Sequence, residues 1–242
     1  MNAHIKTETI LAQIAQTVVL RAVLKAMGYI RERVQLQVKE AKRYPNFKAL
    51  MGTEAWYRLP LSVRRRFDGN HEGFKEKVYA GQMVVIRATK AGQLLADLCR
   101  LIGTPIVPLT GINVPMYVRL FNVPRLAGIA WERIYRFDDH PIITVRSTKM
   151  LSDAGALVET LGFGLRMPLK VFERDGDLYF ESTGYFFQWG WIKIPLPTWF
   201  PPGTATIIHR DLGGGEFCFI LQTDHCWFGE MFYQQGYFQD GE

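Results

Sequence analysis

From Val114 onward the chain consists almost entirely of short segments in which large apolar and polar residues alternate, separated by Gly, Pro, Asp or Asn. Alternation with a period of two is typical of β-strands, and turn signals at this spacing are typical of antiparallel sheets. Aromatic residues, 13% of the chain, are concentrated here and favour strands. The pattern predicts strands over residues 115–122, 129–137, 142–149, 156–162, 169–173, 178–187, 189–194, 206–210, 216–223 and 228–238.

About ten short strands predict a strongly curved antiparallel sheet or a lipocalin-like barrel with an aromatic interior. The Asp-Gly pair at Asp175 and Gly176 predicts a tight hairpin turn. Before Val114, the sequence predicts a short helix after Pro60, a strand over 74–88 and a Leu-rich helix over 94–102. The expected fold class is therefore α+β, mostly antiparallel β, with one helix after the first strand.

Residues 8–43 contain no Pro and predict a helical extension with two apolar stripes on roughly opposite faces. Either the helix breaks near Val18, or one helix presents apolar stripes to two surroundings; a hairpin packed wholly on the core is the third interpretation. We expect residues 1–48 to form this amphipathic extension and residues 49–242 a barrel-like domain. A stripe facing away from the domain would suit a protein assembly or a membrane surface. That stripe is Ile10, Leu11, Ile14 and Val18.

Charge is distributed unevenly along the chain. Residues 1–90 carry 17 Lys and Arg against 7 Asp and Glu, a net charge of +10, whereas residues 91–242 have a net charge of −4. Arg64, Arg65 and Arg66 could form an anion-binding patch for lipid headgroups or an acidic partner, or could simply be solvated. The aromatic residues lie in the other half of the chain, which argues against nucleic acid as the partner.

Cysteine usage and the N-terminus bear on the expected location. Cys99, Cys218 and Cys226 make an odd number without framework spacing, which favours reduced thiols. The pattern of a signal peptide is missing, and charged residues interrupt every long apolar segment. We therefore expect a cytoplasmic protein without a transmembrane segment, with a peripheral association to the inner membrane as the variant of this prediction.

Seven stretches of the chain occur in an order that is expected for one family: 59–65, 94–105, 131–137, Arg146-Ser147, 157–162, 194–199 and 233–237. Together they resemble a bacterial family known as domain of unknown function 4166. The similarity spans about residues 50–239. It implies a conserved domain without a known reaction, found alone or fused behind saccharopine-dehydrogenase-like or short-chain oxidoreductase domains. This chain has no G-x-G-x-x-G after a strand, so no dinucleotide site is expected.

The segment 179–193 alternates sharply if it forms one regular strand. One face would then carry aromatic side chains, while Gly184 and Gly190 on the other leave space beside them. An aromatic wall with few polar groups is what a cavity for an apolar ligand requires; the alternative is a filled interior. The predicted wall includes Tyr185, Phe187, Trp189 and Trp191.

Polar residues that could project into the interior include Arg119, Arg133, Glu159 and His209. Arg133 with Glu159 would either bind a carboxylate or phosphate head or form a neutral ion pair. Glu159 or His209 could alternatively transfer a proton in a barrel enzyme, as an isomerase, cyclase or hydrolase.

The sequence contains no recognisable metal-binding spacing around Cys218, His225 or Cys226, and we predict no metal and no cofactor. The first functional hypothesis is a binding module or accessory subunit with a lipid-like or isoprenoid-like ligand. The second is an enzyme acting on an apolar substrate.

Overall fold

The computed structural model describes residues 43–68, 76–101, 106–107, 109–197, 199 and 202–240. The predicted apolar stripe of Ile10, Leu11, Ile14 and Val18 lies outside the described residues. The described residues fall into two units: residues 189–192 belong to the first, and the second, which contains the barrel, lies within Lys42–Gln188 and Lys193–Glu242.

Four α-helices lie within the described ranges. α1 begins where the side chain of Asn46 accepts a hydrogen bond of 3.0 Å from the backbone N–H of Ala49. α3 begins directly after Pro60, and α4 follows the first strand, as predicted. The helices are α1 (Phe47–Met51), α2 (Thr53–Arg58), α3 (Leu61–Phe67) and α4 (Lys90–Leu101).

Twelve strands are present in the described part of the chain. They are β1 (Lys77–Ala88), β2 (Gly111–Val123), β3 (Gly128–Tyr135), β4 (Ile143–Leu151), β5 (Leu157–Gly162), β6 (Leu165–Arg174), β7 (Asp177–Ser182), β8 (Phe186–Trp189), β9 (Ile192–Pro195), β10 (Thr204–Gly213), β11 (Glu216–His225) and β12 (Gly229–Gln239).

The strands form one antiparallel sheet that closes on itself. The order is β5-β4-β3-β2-β1-β12-β11-β10-β7-β6, and β5 also pairs with β6. Closure leaves ten strands without a free edge, which removes a site for unwanted strand pairing. β8 and β9 continue from β6 as two extra strands. The predicted fold class, a mostly antiparallel barrel of about ten strands with one helix after the first strand, is confirmed.

The barrel has two ends that differ in what covers them. We call the end where β1 begins the lower end and the end where β1 finishes the upper end. Helices α1 to α3 cover the lower end, where the ring of Phe67 lies 5.6 Å from that of Phe47 and 5.8 Å from that of Phe180. Arg66 of α3 also bonds to Asp240, after the last strand, at 2.7 and 2.9 Å. These contacts attach the helices to the lower end.

The predicted hairpin between β6 and β7 is present. Asp175 and Gly176 both have positive φ angles, of 54° and 83°, as a tight two-residue turn with matching twist requires. The predicted strand over 178–187, in contrast, is interrupted. It ends at Ser182, and Gly184 has a φ of 139°, which favours glycine. The chain then pairs as β8 with the beginning of β6, so residues 179–193 are not one regular strand.

The pairing of β1 with β12 depends on a close approach at Gly81. A Cβ atom there would lie 2.3 Å from both the carbonyl oxygen of Tyr237 and the ring of Phe238. We expect Gly81→Ala to lower the free energy of unfolding by about 2 kcal/mol, because a backbone atom cannot move aside as a side chain can. Urea denaturation measures this change. Ala80→Ser, at the exposed neighbouring position, is the control, and equal stabilities of the two variants would contradict the prediction.

Candidate functional site

The barrel interior contains two neighbouring cavities. The upper cavity has a volume of about 90 Å³ and the lower cavity about 40 Å³. Arg133, Glu159 and Ile207 line both, so they mark the boundary between the two. Apolar side chains form most of the upper wall; they include Ile106, Val107, Leu161, Leu165, Met167, Tyr185, Ala205, Leu221 and Phe232.

A charged cluster lies at this boundary, and the register of three strands places it there. Lys149 on β4 is paired directly with Glu159 on β5, and Ser147 is paired with Trp131 on β3. Residues two apart along a strand share a face, and directly paired residues of neighbouring strands lie on the same side of the sheet. Trp131 and Arg133 therefore project to the same side as Ser147 and Lys149. The Lys149 ammonium lies 3.1 Å from the Glu159 carboxylate, with both side chains about 95% buried. We call Arg133, Ser147, Lys149 and Glu159 the central cluster.

Arg133 and the aromatic rings complete the surroundings of this ion pair. An Nη2 N–H of Arg133 donates to the hydroxyl of Ser147 at 3.2 Å. The Lys149 ammonium lies 4.5 Å from the ring centre of Trp131 and 5.5 Å from that of Phe180. Stacking of a cation on an aromatic face compensates part of the lost hydration. The cluster is thus held by electrostatic contacts inside an otherwise apolar barrel.

Burial and ion pairing have opposite effects on the two charged partners. Burial alone would raise the pKa of Glu159, but Lys149 and Arg133 outweigh it, and the pKa lies below 4.5. Burial lowers the pKa of Lys149, while its contact with Glu159 opposes that effect. Glu159 is therefore a carboxylate at neutral pH.

His209 on β10 is buried among aromatic rings at the lower cavity. Its ring centre lies 4.9 Å from that of Phe67, 5.5 Å from that of Phe219 and 5.8 Å from that of Trp131. Burial, together with the positive charges of Arg66 and Lys149, places the pKa of His209 well below 6.5. The imidazole is therefore neutral at neutral pH.

Several buried polar atoms around the cavities have no hydrogen-bond partner among the described residues. Five of them line the lower cavity: Nη1 of Arg66, Nε1 of Trp131, Nε of Arg133, Oε2 of Glu159 and Nδ1 of His209. Of these, Oε2 of Glu159 has the ion pair with Lys149, and the hydroxyl of Thr223 is a sixth such atom, in the upper cavity. A buried polar group without a partner costs about 1–3 kcal/mol. Such groups beside a cavity indicate that water or a ligand occupies it.

The structure brings together three of the residues selected from the sequence, Arg133, Glu159 and His209. Tyr185 lines the upper cavity, and Phe187 is half-buried, opposite Leu165 of β6. Trp189 and Trp191 are exposed in the other unit. The condition for one aromatic wall, a single regular strand, is not met.

Arg119 and the three consecutive arginines lie elsewhere. Arg119 forms ion pairs with Glu76 at 2.6 Å and with Glu132 at 3.1 Å. Since Glu132 neighbours the inward Arg133, this network lies on the outer face of the barrel. Arg64 donates to the carbonyl of Leu59, Arg65 is exposed, and Arg66 is buried with Asp240, so the arginines have separate surroundings.

Sequence reasoning missed Lys149, Ser147, Trp131 and Thr223. The sequence did contain a signal for Lys149 and Ser147: they lie two positions apart in the predicted strand 142–149 and therefore on the same face. Lysine is rarely buried, however, and its partner became evident only with the register of β4 and β5.

The upper end carries a second feature, a set of exposed apolar side chains distributed over the connections between strands. The rings of Trp199 and Trp227 stack at 6.4 Å, and the Nε2 atom of His225 is hydrogen-bonded to the carbonyl of Trp199 at 2.9 Å. We call this set the upper rim; it consists of Ile112, Ile142, Phe163, Trp199, Trp227 and Phe228.

The described residues contain neither a metal-binding group nor a helix that could span a membrane. No group of three His, Cys, Asp or Glu side chains lies close enough to hold a metal ion within the described ranges. Among the described helices, none is sufficiently long and apolar to cross a membrane.

The fold and the central cluster define a closed antiparallel β-barrel whose small interior has charged side chains at its centre. Residues 59–238 match the family model described as a domain of unknown function, DUF4166. The chain belongs to this family, as the sequence motifs predicted. No curated protein and no solved structure matches it.

Proposed function

We propose that this protein is a binding module, or an accessory subunit, that holds a small lipid-like molecule inside its barrel. The observation that carries the proposal is the upper cavity, whose walls are mainly apolar and whose inner boundary is charged. Ligand sites typically combine apolar walls with a few polar groups that fix orientation. The volume of about 90 Å³ is small, which favours a short or slender ligand.

The alternative, a barrel enzyme with Glu159 or His209 as the proton-transfer group, has one observation in its favour: both residues line a cavity. Their protonation states argue against it. Glu159 has lost the proton that a general acid needs, and its lowered pKa makes the carboxylate a weak base. The strongly lowered pKa of the neutral His209 makes it a weak base as well. Binding therefore agrees better with the site than acid–base catalysis.

The proposal also includes docking of the protein on a membrane or on a larger assembly. The stripe predicted for it lies outside the described residues. The upper rim supports exchange of an apolar ligand at the upper end, because Trp and Phe are favoured where an apolar surface meets water. A cytoplasmic location peripheral to a membrane is consistent with such exchange and stays a prediction.

The direct test is native mass spectrometry of the protein gently purified from its own host. We expect a co-purifying small apolar molecule. Ala205→Leu, which places a larger side chain in the upper cavity, should weaken its binding about 10-fold or more. Ala80→Leu, on the exposed face of β1, is the matched control and should bind like the natural protein.

A protein that carries no small molecule, and whose melting temperature does not change with any short amphipathic compound, would contradict the proposal. Equal binding by both Ala→Leu variants would place the ligand outside the upper cavity.

A further inference from the structure

The side chains that line the two cavities do not balance their charges. Arg66 faces two carboxylates at the lower end, Asp240 at 2.7 and 2.9 Å and Asp211 at 3.7 Å, so it adds no excess positive charge. Of the remaining charged residues, Arg133 and Lys149 are cations, whereas Glu159 is the one carboxylate on the described walls of the cavities. Within the central cluster, formed by the half-buried Arg133 and the buried Lys149 and Glu159, one positive charge is thus left over. An uncompensated buried charge is costly, and water can solvate it but cannot neutralise it.

Unused hydrogen-bond donors are found at the same place. The Nε N–H of Arg133 and the Nε1 N–H of Trp131 have no acceptor among the described residues. The neutral imidazole of His209 adds a further donor in the tautomer that carries its proton on Nδ1, and this residue is 96% buried. All three side chains line the lower cavity. The free donors and the excess positive charge of the central cluster both favour an anion at this place.

We infer that the centre of the barrel binds one singly charged anionic group, a carboxylate, at Arg133. A guanidinium with a free Nε N–H matches the planar geometry of a carboxylate. The lower cavity, about 40 Å³, has space for such a small group. The excess of one positive charge favours a single negative charge over a phosphate dianion.

This inference rests on the proposed function where the carboxylate is the head of the bound molecule. Arg133 lines both cavities, so a head beside it would leave an apolar tail in the upper cavity. A free small carboxylate such as acetate is the other source of the same chemistry. The ligand class inferred is therefore a short amphipathic monocarboxylate.

The experiment is calorimetric titration of the full chain with straight-chain carboxylates of four to ten carbons, the corresponding primary alcohols, and acetate. We expect the best carboxylate to bind about 10- to 100-fold more tightly than the alcohol of equal length, as for a hydrogen-bonded charge. Arg133→Gln should remove that difference, because the alcohol and the carboxylate then meet the same uncharged side chain. This variant retains the neutral Lys149–Glu159 pair, so it should fold.

Two further variants make the result specific. Arg133→Lys keeps the charge but loses the planar fork, and should retain part of the preference for the carboxylate. Arg125→Gln, at an exposed turn of the lower end, should change nothing.

The outcomes separate the inference from the proposed function. Equal binding of alcohols and carboxylates would overturn the anion site and leave the lipid-like ligand standing. Binding of acetate without binding of longer chains would support the anion site and contradict the lipid-like ligand. If none of these compounds binds, both fail.

Discussion

Replacing Glu159 by Gln should lower the free energy of unfolding at pH 7 by about 3–5 kcal/mol, the range measured when one partner of a buried ion pair is removed. Lys149 and Arg133 would then lie beside each other without a carboxylate, and the buried Lys149 cannot reach bulk water without opening the barrel. Urea denaturation followed by tryptophan fluorescence measures the loss. Glu216→Gln, at an exposed position of β11, should cost little.

A double-mutant cycle separates the ion pair from other effects. Lys149→Met alone should destabilise less than Glu159→Gln, because Arg133 then still compensates the carboxylate. The combination of both substitutions should recover much of the loss, since replacing a whole buried pair is often close to neutral. Additive losses in the double variant would show that the two side chains do not interact.

The contribution of Glu159 should also depend on pH in a defined direction. Its pKa in the folded protein lies below the ordinary value of 4.5. The stabilisation is therefore fully present above about pH 4.5 and is lost as the pH falls through the lowered pKa. The difference between the natural protein and Glu159→Gln should decrease in that acidic range.

Alternation along the strands was sufficient to predict the barrel and three of its functional candidates. Arg133, Glu159 and His209 all lie on the inner face. In each case, large apolar residues lie two positions away in the same strand and face the interior as well. The alternation of inward and outward side chains is a local property of a strand, so it can be inferred directly from the sequence. Register between strands is not local, which is why the pairing of Lys149 with Glu159 was not predicted.

The errors in placement also have local causes. The expectation of one aromatic wall assumed a regular strand through Gly184, whose φ of 139° instead redirects the chain into β8. Arg119 was considered an inward residue, yet its neighbours Val118 and Leu120 line the lower cavity. A shift of one residue moves a side chain to the opposite face of a sheet. Whether a polar residue on a strand faces inward must therefore be inferred from the apolar residues next to it.

His209 should make the stability of the protein decrease as the pH falls below about 6.5, its pKa when unfolded. Burial, Arg66 and Lys149 all disfavour its charged form in the folded barrel. Below pH 6.5 the unfolded chain therefore binds a proton that the native protein does not, and unfolding becomes easier by up to about 1.4 kcal/mol for each pH unit. Urea denaturation at pH 8, 6.5 and 5.5 measures this slope.

The variant His209→Phe isolates this contribution from that of the carboxylates. Phe cannot titrate, and the lower cavity beside His209 offers space for the larger ring, so the variant should lose less stability between pH 6.5 and 5.5 than the natural protein. Phe219→Leu, in the same aromatic group, should lower stability at every pH without changing the slope. Equal slopes for the natural protein and His209→Phe would mean that the native barrel admits a protonated His209. In that case the neutral imidazole assigned to the lower cavity would be wrong.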